Sequence, residues 1–439
     1  MKRNILYIVF GIIALIIVIR MIVGGGEYGS KAEIQVPSES VEGASVRNVT
    51  FIVDNSGSMR GYVDFSGNRP GFGDAKKTFI SKVGDFMSNC TNVLGVKNTV
   101  AKCNGKEYKS TDDMLDALSN YSAFSGPITE LAELVGKAMT EVNDSSISIV
   151  VSDMILSYGK ATIKSKGDDD YNKHALDELK AKLKNKFQEL KNSKKEILLI
   201  KYVGDFNGKY YYNYTENLKP NKYNDTLMIN RPFYFMVIGG KENLKALCDK
   251  NCVPKGYETI FSTMSLGEKD LIPKEFTVSQ PEKQPQWILG NPNPKDEKAK
   301  DRIYTISMSN NLKTTQSDFT FTFDELRIPI YAGADFKYDF DKKVLSEVQL
   351  NESRNAIIVK TKPYDQFGKE EKLEVKIYTP LYVDPEESST LDDVEATLEN
   401  LENKTWGFKA IVEAIYEAYD INKNEVNTIA NLKVKIQKK

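Results

Sequence analysis

The sequence predicts an α/β protein with a doubly wound, mostly parallel sheet, joined to a C-terminal β-rich, sandwich-like domain and an N-terminal transmembrane helix. Three observations lead to this fold class. Apolar runs such as Val49–Val53 and Ile147–Val151 alternate with amphipathic helical patterns through the first half of the chain. Short segments of alternating apolar residues follow beyond residue 300. An apolar stretch lies near the N-terminus.

That N-terminal stretch, residues 5–23, predicts a membrane anchor. Only Arg20 interrupts it, and its length is enough to cross the hydrocarbon core of a bilayer. A cleaved signal peptide is the alternative, although no A-x-A-like cleavage site follows. Because two basic residues precede the stretch, the positive-inside rule places the N-terminus in the cytoplasm and the bulk of the chain outside. We therefore expect a single-pass protein of the cytoplasmic membrane, with residues 1–23 as the signal-anchor and 24–46 as a polar tether.

The composition bounds the remaining possibilities. At 439 residues the chain is long enough for two or three domains, and its hydrophobic content of 41% is ample for packed cores. A net charge of −1, without a basic cluster, gives no reason to expect a nucleic-acid partner. The single histidine, His174, leaves little room for Ser-His-Asp or Cys-His catalysis.

Residues 47–252 are predicted to form the α/β domain, because strand and helix patterns alternate there. The elements expected in chain order are strand Val49–Val53, helix Ala75–Ser88, two short strands within Asn92–Lys109, helices Asp112–Ser119 and Thr129–Val142, strand Ile147–Asp153, helix His174–Asn192, strands Glu196–Val203 and Pro232–Ile238, and helix Glu242–Cys248. A hairpin rich in tyrosine is expected directly after Val203, where a helix would be usual.

Beyond the α/β domain the pattern changes. Residues 253–300, rich in Pro, Lys and Glu in their second half, are interpreted as a linker, and 301–439 as a β-rich domain with a helical insertion that begins near Phe408. The predicted strands are Ile303–Met308, Phe319–Phe323, Leu326–Tyr331, Phe336–Phe340, Ala356–Thr361, Leu373–Tyr378 and Ile429–Ile436. We recognise no ligand constellation in this half of the chain.

A polar loop follows the first predicted strand directly. Asp54, Ser56 and Ser58 stand at alternate positions on a tight glycine turn. Such a loop can present three hard oxygen ligands to one small divalent cation, since oxygen-only ligation suits Mg²⁺, Mn²⁺ or Ca²⁺ better than zinc or copper. The alternative is a Ser/Asp-rich turn whose side chains cap the next element.

Two later segments favour the metal site. Thr129 lies at the mouth of a predicted amphipathic helix, and Asp153 ends a predicted buried strand. Groups at the carboxyl ends of strands in a doubly wound sheet converge on one edge, where ligands bind. The sequence therefore predicts one site with Mg²⁺ as the expected cofactor, and Mn²⁺ or Ca²⁺ as alternatives. Its residues are Asp54, Ser56, Ser58, Thr129 and Asp153.

In this pattern the chain resembles the von Willebrand factor A domain family, whose metal-ion-dependent adhesion site consists of D-x-S-x-S, a Thr and then an Asp. All five positions match in order, and the run Ser58–Tyr62 is similar to bacterial members. The resemblance implies that the three hydroxyls contact the ion and that the two carboxylates largely hold its waters. It also implies that an Asp or Glu of a partner protein completes the coordination.

An insertion after the ligand turn and the tyrosine-rich hairpin should both lie at the metal edge of the sheet. Tyrosine offers large contact area at low rotamer cost, so we expect a partner-binding rim around the ion. The alternative is that the tyrosines only cover the end of the sheet. The rim residues expected are Arg60, Tyr62, Phe65, Tyr210 and Tyr212.

Four cysteines, Cys90, Cys103, Cys248 and Cys252, permit three disulfide connectivities. The local pairing is Cys90–Cys103 with Cys248–Cys252, and four buried free thiols are the alternative. A zinc site is not expected, because the C-x₃-C pair has no partner pair nearby.

The expected function is therefore that of a membrane-anchored adhesion or scaffold protein of the bacterial envelope, without enzymatic activity, which binds an acidic residue of a protein partner through the metal. Two alternatives stay open. The α/β domain could instead face the cytoplasm as an adaptor for an ATPase, as the resemblance allows. The ion could also serve a Mg-dependent hydrolase, although no second aspartate follows Asp54 at the phosphatase spacing and no motif supplies a base.

Overall fold

The computed structural model describes most of the chain after residue 45. The described residues are 46–63, 78–119, 123–126, 130–156, 169–211, 224–264, 277–279, 288–290, 302–307, 318–322, 337–351, 356–366, 370–391 and 397–438. The predicted anchor at 5–23 and the predicted strand Leu326–Tyr331 lie outside them. Among the described residues, no helix is both long and apolar enough to cross a membrane.

Strands between residues 48 and 262 form one seven-stranded sheet. Its strands are β1 (Asn48–Val53), β2 (Asn98–Cys103), β3 (Lys106–Tyr108), β4 (Ser146–Ser152), β5 (Lys195–Tyr211), β6 (Asn224–Gly240) and β7 (Thr259–Ser262). They lie in the order β3-β2-β1-β4-β6-β5-β7. β1 is parallel to β2 and β4 on its two sides, so it is the centre of a parallel unit.

The sheet is mixed, with four of its seven strands running one way and β3, β6 and β7 running the other. β6 lies between β4 and β5 and is antiparallel to both, so β1, β2, β4 and β5 run one way. The predicted α/β class is confirmed, and the hairpin expected after Val203 is the β5–β6 pair, which is joined over seventeen register positions from Lys195↔Gly240 to Tyr211↔Asn224. Its outer half extends beyond the end of β4, over the edge where Asp54 and Asp153 lie.

Helices cover both faces of the sheet. They are α1 (Thr78–Asn89), α2 (Thr111–Leu118), α3 (Leu131–Glu141), α4 (Asp169–Asn192), α5 (Lys241–Asp249), α6 (Leu398–Asn403) and α7 (Phe408–Tyr419). The side chains of β6 show the two layers, since they alternate between two apolar clusters. Phe233 and Phe235 pack with α1, α2 and α5, whereas Tyr234 and Met236 pack with α3, α4 and α7.

Helix α7, although it comes late in the chain, packs against α4 on the second face. Its apolar side, including Ile411 and Ile415, is buried in the same cluster as Phe187 of α4. Lys180 of α4 forms ion pairs of 2.7 Å with both Glu413 and Glu417 of α7. The residues predicted as a helical insertion in the β-rich half thus complete one layer of the α/β unit.

The remaining strands form two larger sheets and one small one. The five-stranded sheet contains β9 (Ile288–Gly290), β10 (Arg302–Ser307), β12 (Lys337–Phe340), β15 (Glu370–Pro380) and β18 (Val426–Lys438). The four-stranded sheet contains β8 (Thr277–Ser279), β11 (Asp318–Thr322), β13 (Leu345–Leu350) and β14 (Ala356–Thr361), and β16 (Ser389–Thr390) pairs with β17 (Thr405–Trp406). Val348 and Val359 of one large sheet share an apolar cluster with Val375 and Ile377 of the other.

Candidate functional site

The site begins where β1 ends. The N–H of Asp54 donates to the Val151 carbonyl over 2.9 Å, which continues the pairing with β4 by one residue. The chain then turns, and the N–H of Ser56 donates to Asp54 Oδ1 over 2.8 Å. This local hydrogen bond is the one that Asp characteristically makes two residues ahead in a turn. It fixes the Asp54 carboxylate, which is only 1% exposed, at the edge of the sheet.

Both serines of the loop point toward the same place. Ser58 stands in a short 3-10 helix, Gly57–Tyr62, and its Oγ lies 3.0 Å from Ser56 Oγ. Ser56 is buried, and Ser58 is half-buried. The Ser58 hydroxyl also hydrogen-bonds the Asp153 carboxylate, which favours the ionised form of that acid. The loop therefore brings two hydroxyl oxygens to the carboxylate that follows β4.

Asp153 and Asp54 are held together by the end of β4. Ser152 donates its hydroxyl hydrogen to Asp54 Oδ2 over 2.8 Å and accepts the N–H of Met154 at 2.9 Å. Asp153 Oδ1 accepts the N–H of Ile155 at 3.2 Å. Met154 adopts a φ of +55°, in the left-handed region that non-glycine residues seldom use. Strained backbone of this kind is often found at functional sites.

Two carboxylates in one buried place repel each other. Asp153 is 1% exposed, and burial, reinforced by the charge of Asp54, raises its pKa to about 6. The hydrogen bond from Ser58 and the charge of Arg231 act in the opposite direction and only partly offset this rise. A cation between the carboxylates would remove the repulsion.

Gly126 connects the ligand loop to the chain segment that leads to Thr129. Gly57 N–H donates to the Gly126 carbonyl, and Gly126 N–H donates to the Asn55 carbonyl, each over 2.9 Å. A Cβ on Gly126 would lie 3.0 Å from the Asn55 carbonyl oxygen, so the two segments are in close contact. Thr129 itself lies outside the described residues. The structure therefore brings together Asp54, Ser56, Ser58 and Asp153.

The donor set fits a small, hard divalent cation. All the described donors are carboxylate or hydroxyl oxygens, which Mg²⁺, Mn²⁺ and Ca²⁺ prefer. Both Asp54 oxygens accept hydrogen bonds, from Ser56 and Ser152, so the structure holds this carboxylate in one orientation. Within the described residues, no group of three His, Cys, Asp or Glu side chains suits a metal. The candidate site has only two carboxylates, and its other described donors are two serine hydroxyls, so it does not contain such a group of three.

The structure corrects the predicted rim. Tyr62 is fully buried, and its hydroxyl donates to the Pro232 carbonyl. Tyr210 is 1% exposed, so the two tyrosines pack inside the molecule and present no surface to a partner. Arg60 is half-buried and donates from Nε to the Phe124 carbonyl. The other two predicted rim residues, Phe65 and Tyr212, lie outside the described residues.

The sequence pattern does not predict that Arg231 of β6 lies near the candidate site. It is 1% exposed, and its guanidinium carbon lies 4.3 Å from the Tyr210 ring centroid. In the sequence it stands directly before the apolar run Pro232–Ile238, where a charged residue normally marks a solvent-exposed strand end. Only the pairing of Arg231 with Gly204, which extends the β5–β6 hairpin over it, places it inside.

The four cysteines are free and buried in the structure. Cys90 lies close enough to Cys252 for the latter's charge to add to the effect of burial in raising the Cys90 pKa. Cys103 instead lies close to Asp54, and burial together with this carboxylate raises its pKa to about 12. Burial also raises the pKa of Cys252, to about 11. Thiols with raised pKa values are poor nucleophiles at neutral pH, so none of these three is placed for catalysis.

The arrangement offers oxygen ligands of the kind that a hard divalent cation takes. Two buried carboxylates supply charge, two hydroxyls supply neutral ligands, and the backbone around them is fixed by hydrogen bonds. The side chain of His174, the single histidine of the sequence, lies outside the described part of the structure.

Comparisons with protein-family models, with curated proteins and with solved structures found no match for this chain.

Proposed function

We propose that this chain is a metal-dependent protein-binding module of the von Willebrand factor A type. One observation carries the proposal. The buried carboxylates of Asp54 and Asp153 meet the hydroxyls of Ser56 and Ser58 at the carboxyl ends of the adjacent parallel strands β1 and β4. Ligands of α/β sheets bind at this end of the strands. Thr129 follows Gly126 by three residues in the sequence, and we propose it as the fifth ligand.

A bound Mg²⁺, or Mn²⁺ or Ca²⁺ in its place, would supply a Lewis-acidic position that accepts one carboxylate from a partner's Asp or Glu. The protein's residues prepare that position. Ser56 and Ser58 offer neutral oxygens, so these direct ligands would not themselves neutralise a cation. Ser152 and the N–H of Ser56 hold Asp54 in one orientation, so no reorganisation is needed when the site is filled.

The setting we propose is the bacterial envelope. A signal-anchor at residues 1–23 would hold the chain in the cytoplasmic membrane, and the tether at 24–46 would carry the folded part outside it. The function is then adhesion or scaffolding by a single-pass membrane protein, with no nucleic-acid partner. Protease treatment of intact cells tests the topology, since only an extracytoplasmic domain is degraded without lysis.

Metal binding is the first test. Purified protein is titrated with Mn²⁺ and with Mg²⁺ by calorimetry, and Asp54→Ala and Ser56→Ala are compared with Asp116→Ala, which removes an exposed carboxylate on α2. We expect one bound ion in the wild type and in Asp116→Ala, and none in the two site variants. An equal ion affinity in all four proteins would contradict the proposal.

Partner capture is the second test. Crosslinked membranes carrying the wild type or Asp54→Ala are purified with Mg²⁺ or with EDTA. A partner retained only by the wild type with Mg²⁺ supports metal-bridged recognition, and acidic residues of that partner can then be replaced by amides. A partner retained equally under all four conditions would show that recognition does not use the ion.

A further inference from the structure

Arg231 is a buried charge without a direct counter-charge among the described residues. Its Nη1 and Nη2 are buried and have no acceptor in hydrogen-bonding geometry, and no carboxylate of the described residues forms an ion pair with it. The side chain of Tyr62 is a hydrogen-bonding neighbour of the guanidinium, and aromatic rings surround the rest of it. The guanidinium carbon lies 4.3 Å from the Tyr210 ring centroid and 5.6 Å from that of Phe206.

Stability alone does not explain this charge. A buried, unpaired guanidinium is strongly unfavourable, and cation–π contacts recover only part of that cost. A methionine of similar volume could pack against the same aromatic rings without placing a charge in the interior. Unsatisfied buried groups are rare in folded proteins and call for an explanation.

The neighbouring charge is that of Asp153, in the candidate metal site. Asp153 would face Phe233 if the pairing of Ser152 with Tyr234 continued by one residue, and Arg231 stands two residues from Phe233 on the same side of β6. The two charges act on each other without direct contact. Burial and Asp54 raise the pKa of Asp153, whereas Arg231 lowers it. The other titratable neighbours are Tyr62, Tyr210 and Tyr234, and burial raises the pKa values of Tyr62 and Tyr234.

The charges at the site do not cancel once a metal is bound. Asp54 and Asp153 together carry two negative charges, which balance a divalent cation. Arg231 adds one positive charge that stays inside whether or not a metal is bound, since a guanidinium does not deprotonate in proteins. Among the described residues around the site, the metal-loaded form is therefore left with a net positive charge.

We propose that Arg231 is a specificity determinant that keeps the metal-loaded site electropositive, so that it selects an anionic carboxylate and binds metal and carboxylate cooperatively. This inference rests on the function proposed above. Arg231 weakens binding of the metal alone by repulsion and strengthens the subsequent binding of a carboxylate. By linkage, the carboxylate must then raise metal affinity by the same factor.

The effect is large enough to measure. A unit charge several ångströms away in a partly screened interior changes ion affinity by roughly tenfold or more. The full-length protein is titrated with Mn²⁺, alone and with acetate as the carboxylate probe. The variants are Arg231→Met, Arg231→Gln and Arg231→Lys. Lys201→Met is the matched control, because it removes a buried cation of β5 whose partner is Glu258, 3.2 Å away.

We expect acetate to tighten Mn²⁺ binding to the wild type, to Lys201→Met and to Arg231→Lys. Arg231→Met and Arg231→Gln should bind Mn²⁺ alone about tenfold more tightly than the wild type and should show little further effect of acetate. Circular dichroism verifies folding. If both neutral variants fail to fold, Arg231→Lys decides, since loss of the acetate effect in this folded, charge-preserving variant would overturn the inference.

Failure of the inference is distinguishable from failure of the proposed function. If neither the wild type nor any variant binds Mn²⁺, the metal site itself is refuted, and with it the inference. If the wild type binds Mn²⁺ and Asp54→Ala does not, the metal site stands. Unchanged Mn²⁺ affinity and an unchanged acetate effect in Arg231→Met would then refute only the role of Arg231.

Discussion

Ser152 joins the two central strands at the candidate site by donating a 2.8 Å hydrogen bond to Oδ2 of Asp54. Ser152 ends β4 and Asp54 follows β1, so the bond links the carboxyl ends of two parallel neighbours. Ser152 also accepts the N–H of Met154, whose φ is +55°. One buried hydroxyl thus orients one carboxylate of the pair and supports the strained turn that carries the other.

Replacing Ser152 by alanine should therefore destabilise the fold and weaken metal binding. The variant leaves a buried carboxylate oxygen and a backbone N–H without their partner, which costs about 1–3 kcal/mol. Urea unfolding with and without Mg²⁺ measures both effects. Ser148→Ala is the control, because Ser148 is equally buried in β4 but donates only a 3.4 Å bond to the Thr50 carbonyl. Equal losses in the two variants would contradict this assignment.

The raised pKa of Asp153 implies that the free energy of unfolding depends on pH. The sign of this dependence is opposite to that for a salt-bridged aspartate. Burial and Asp54 raise the pKa of Asp153 in the folded protein from 3.8 to about 6. Between these two values the folded state binds more protons than the unfolded state. The metal-free protein should therefore lose stability as pH rises from about 4 to about 6, as Asp153 ionises without a counter-ion. Urea unfolding across this range in EDTA measures the loss.

Metal binding should show the reverse trend, because the ion requires the ionised carboxylate. Below pH 6, Mn²⁺ affinity should rise up to about tenfold per pH unit and then level off. Asp153→Asn is the control for the stability measurement, since its side chain does not titrate. If Asp153→Asn kept the wild-type slope of stability against pH in EDTA, another group would be responsible.

Gly208 of β5 lies where the β5–β6 hairpin packs closely against the short helix that follows the ligand loop. A Cβ there would lie 2.6 Å from the Cα of Gly61, a backbone atom that cannot rotate away. Gly208→Ala should destabilise the protein by about 1–3 kcal/mol. Gly136→Ala is the matched control, because a Cβ on this α3 glycine meets nothing within 4 Å and should stabilise by roughly 0.5–1 kcal/mol. A neutral Gly208→Ala would contradict the close approach.

The packing of α7 predicts that the α/β unit depends on a helix from the second half of the chain. Ile411 is fully buried between α4 and the sheet, so Ile411→Ala should cost about 2–5 kcal/mol. Hydrogen exchange should then show weaker protection in α4 and β6. Leu398→Ala, at a position 59% exposed, is the control and should have little effect. Loss of protection confined to β12–β15 would contradict the shared layer.

Much of the local structure was predictable from the sequence. The helix expected over His174–Asn192 is α4, which begins earlier at Asp169, and the strand expected over Ala356–Thr361 is β14 with the same bounds. The turn within Cys103–Lys106 separates β2 from β3 as predicted. These signals are local, since apolar periodicity and turn residues act within a few positions along the chain.

Other features could not be predicted, because they depend on contacts between distant segments. The position of β6 between β4 and β5 comes from long-range pairing, which no local pattern specifies. The burial of Tyr62 has the same origin, since its ring packs 5.1 Å from that of Phe206 on the β5–β6 hairpin. An alternating tyrosine pattern in sequence is equally compatible with a surface and with a core.

The sequence by itself determined the donor types of the candidate site and their place at strand ends, because an apolar strand followed by Asp-x-Ser-x-Ser leaves those oxygens at the edge of a sheet. Only the tertiary structure decided what surrounds them. The hairpin covers the site on one side, α7 completes one layer on the sheet, and Arg231 is buried close enough to Asp153 for its charge to lower the Asp153 pKa. Burial and electrostatic environment are properties of the assembled fold, and they depend on atoms that are far apart in the chain.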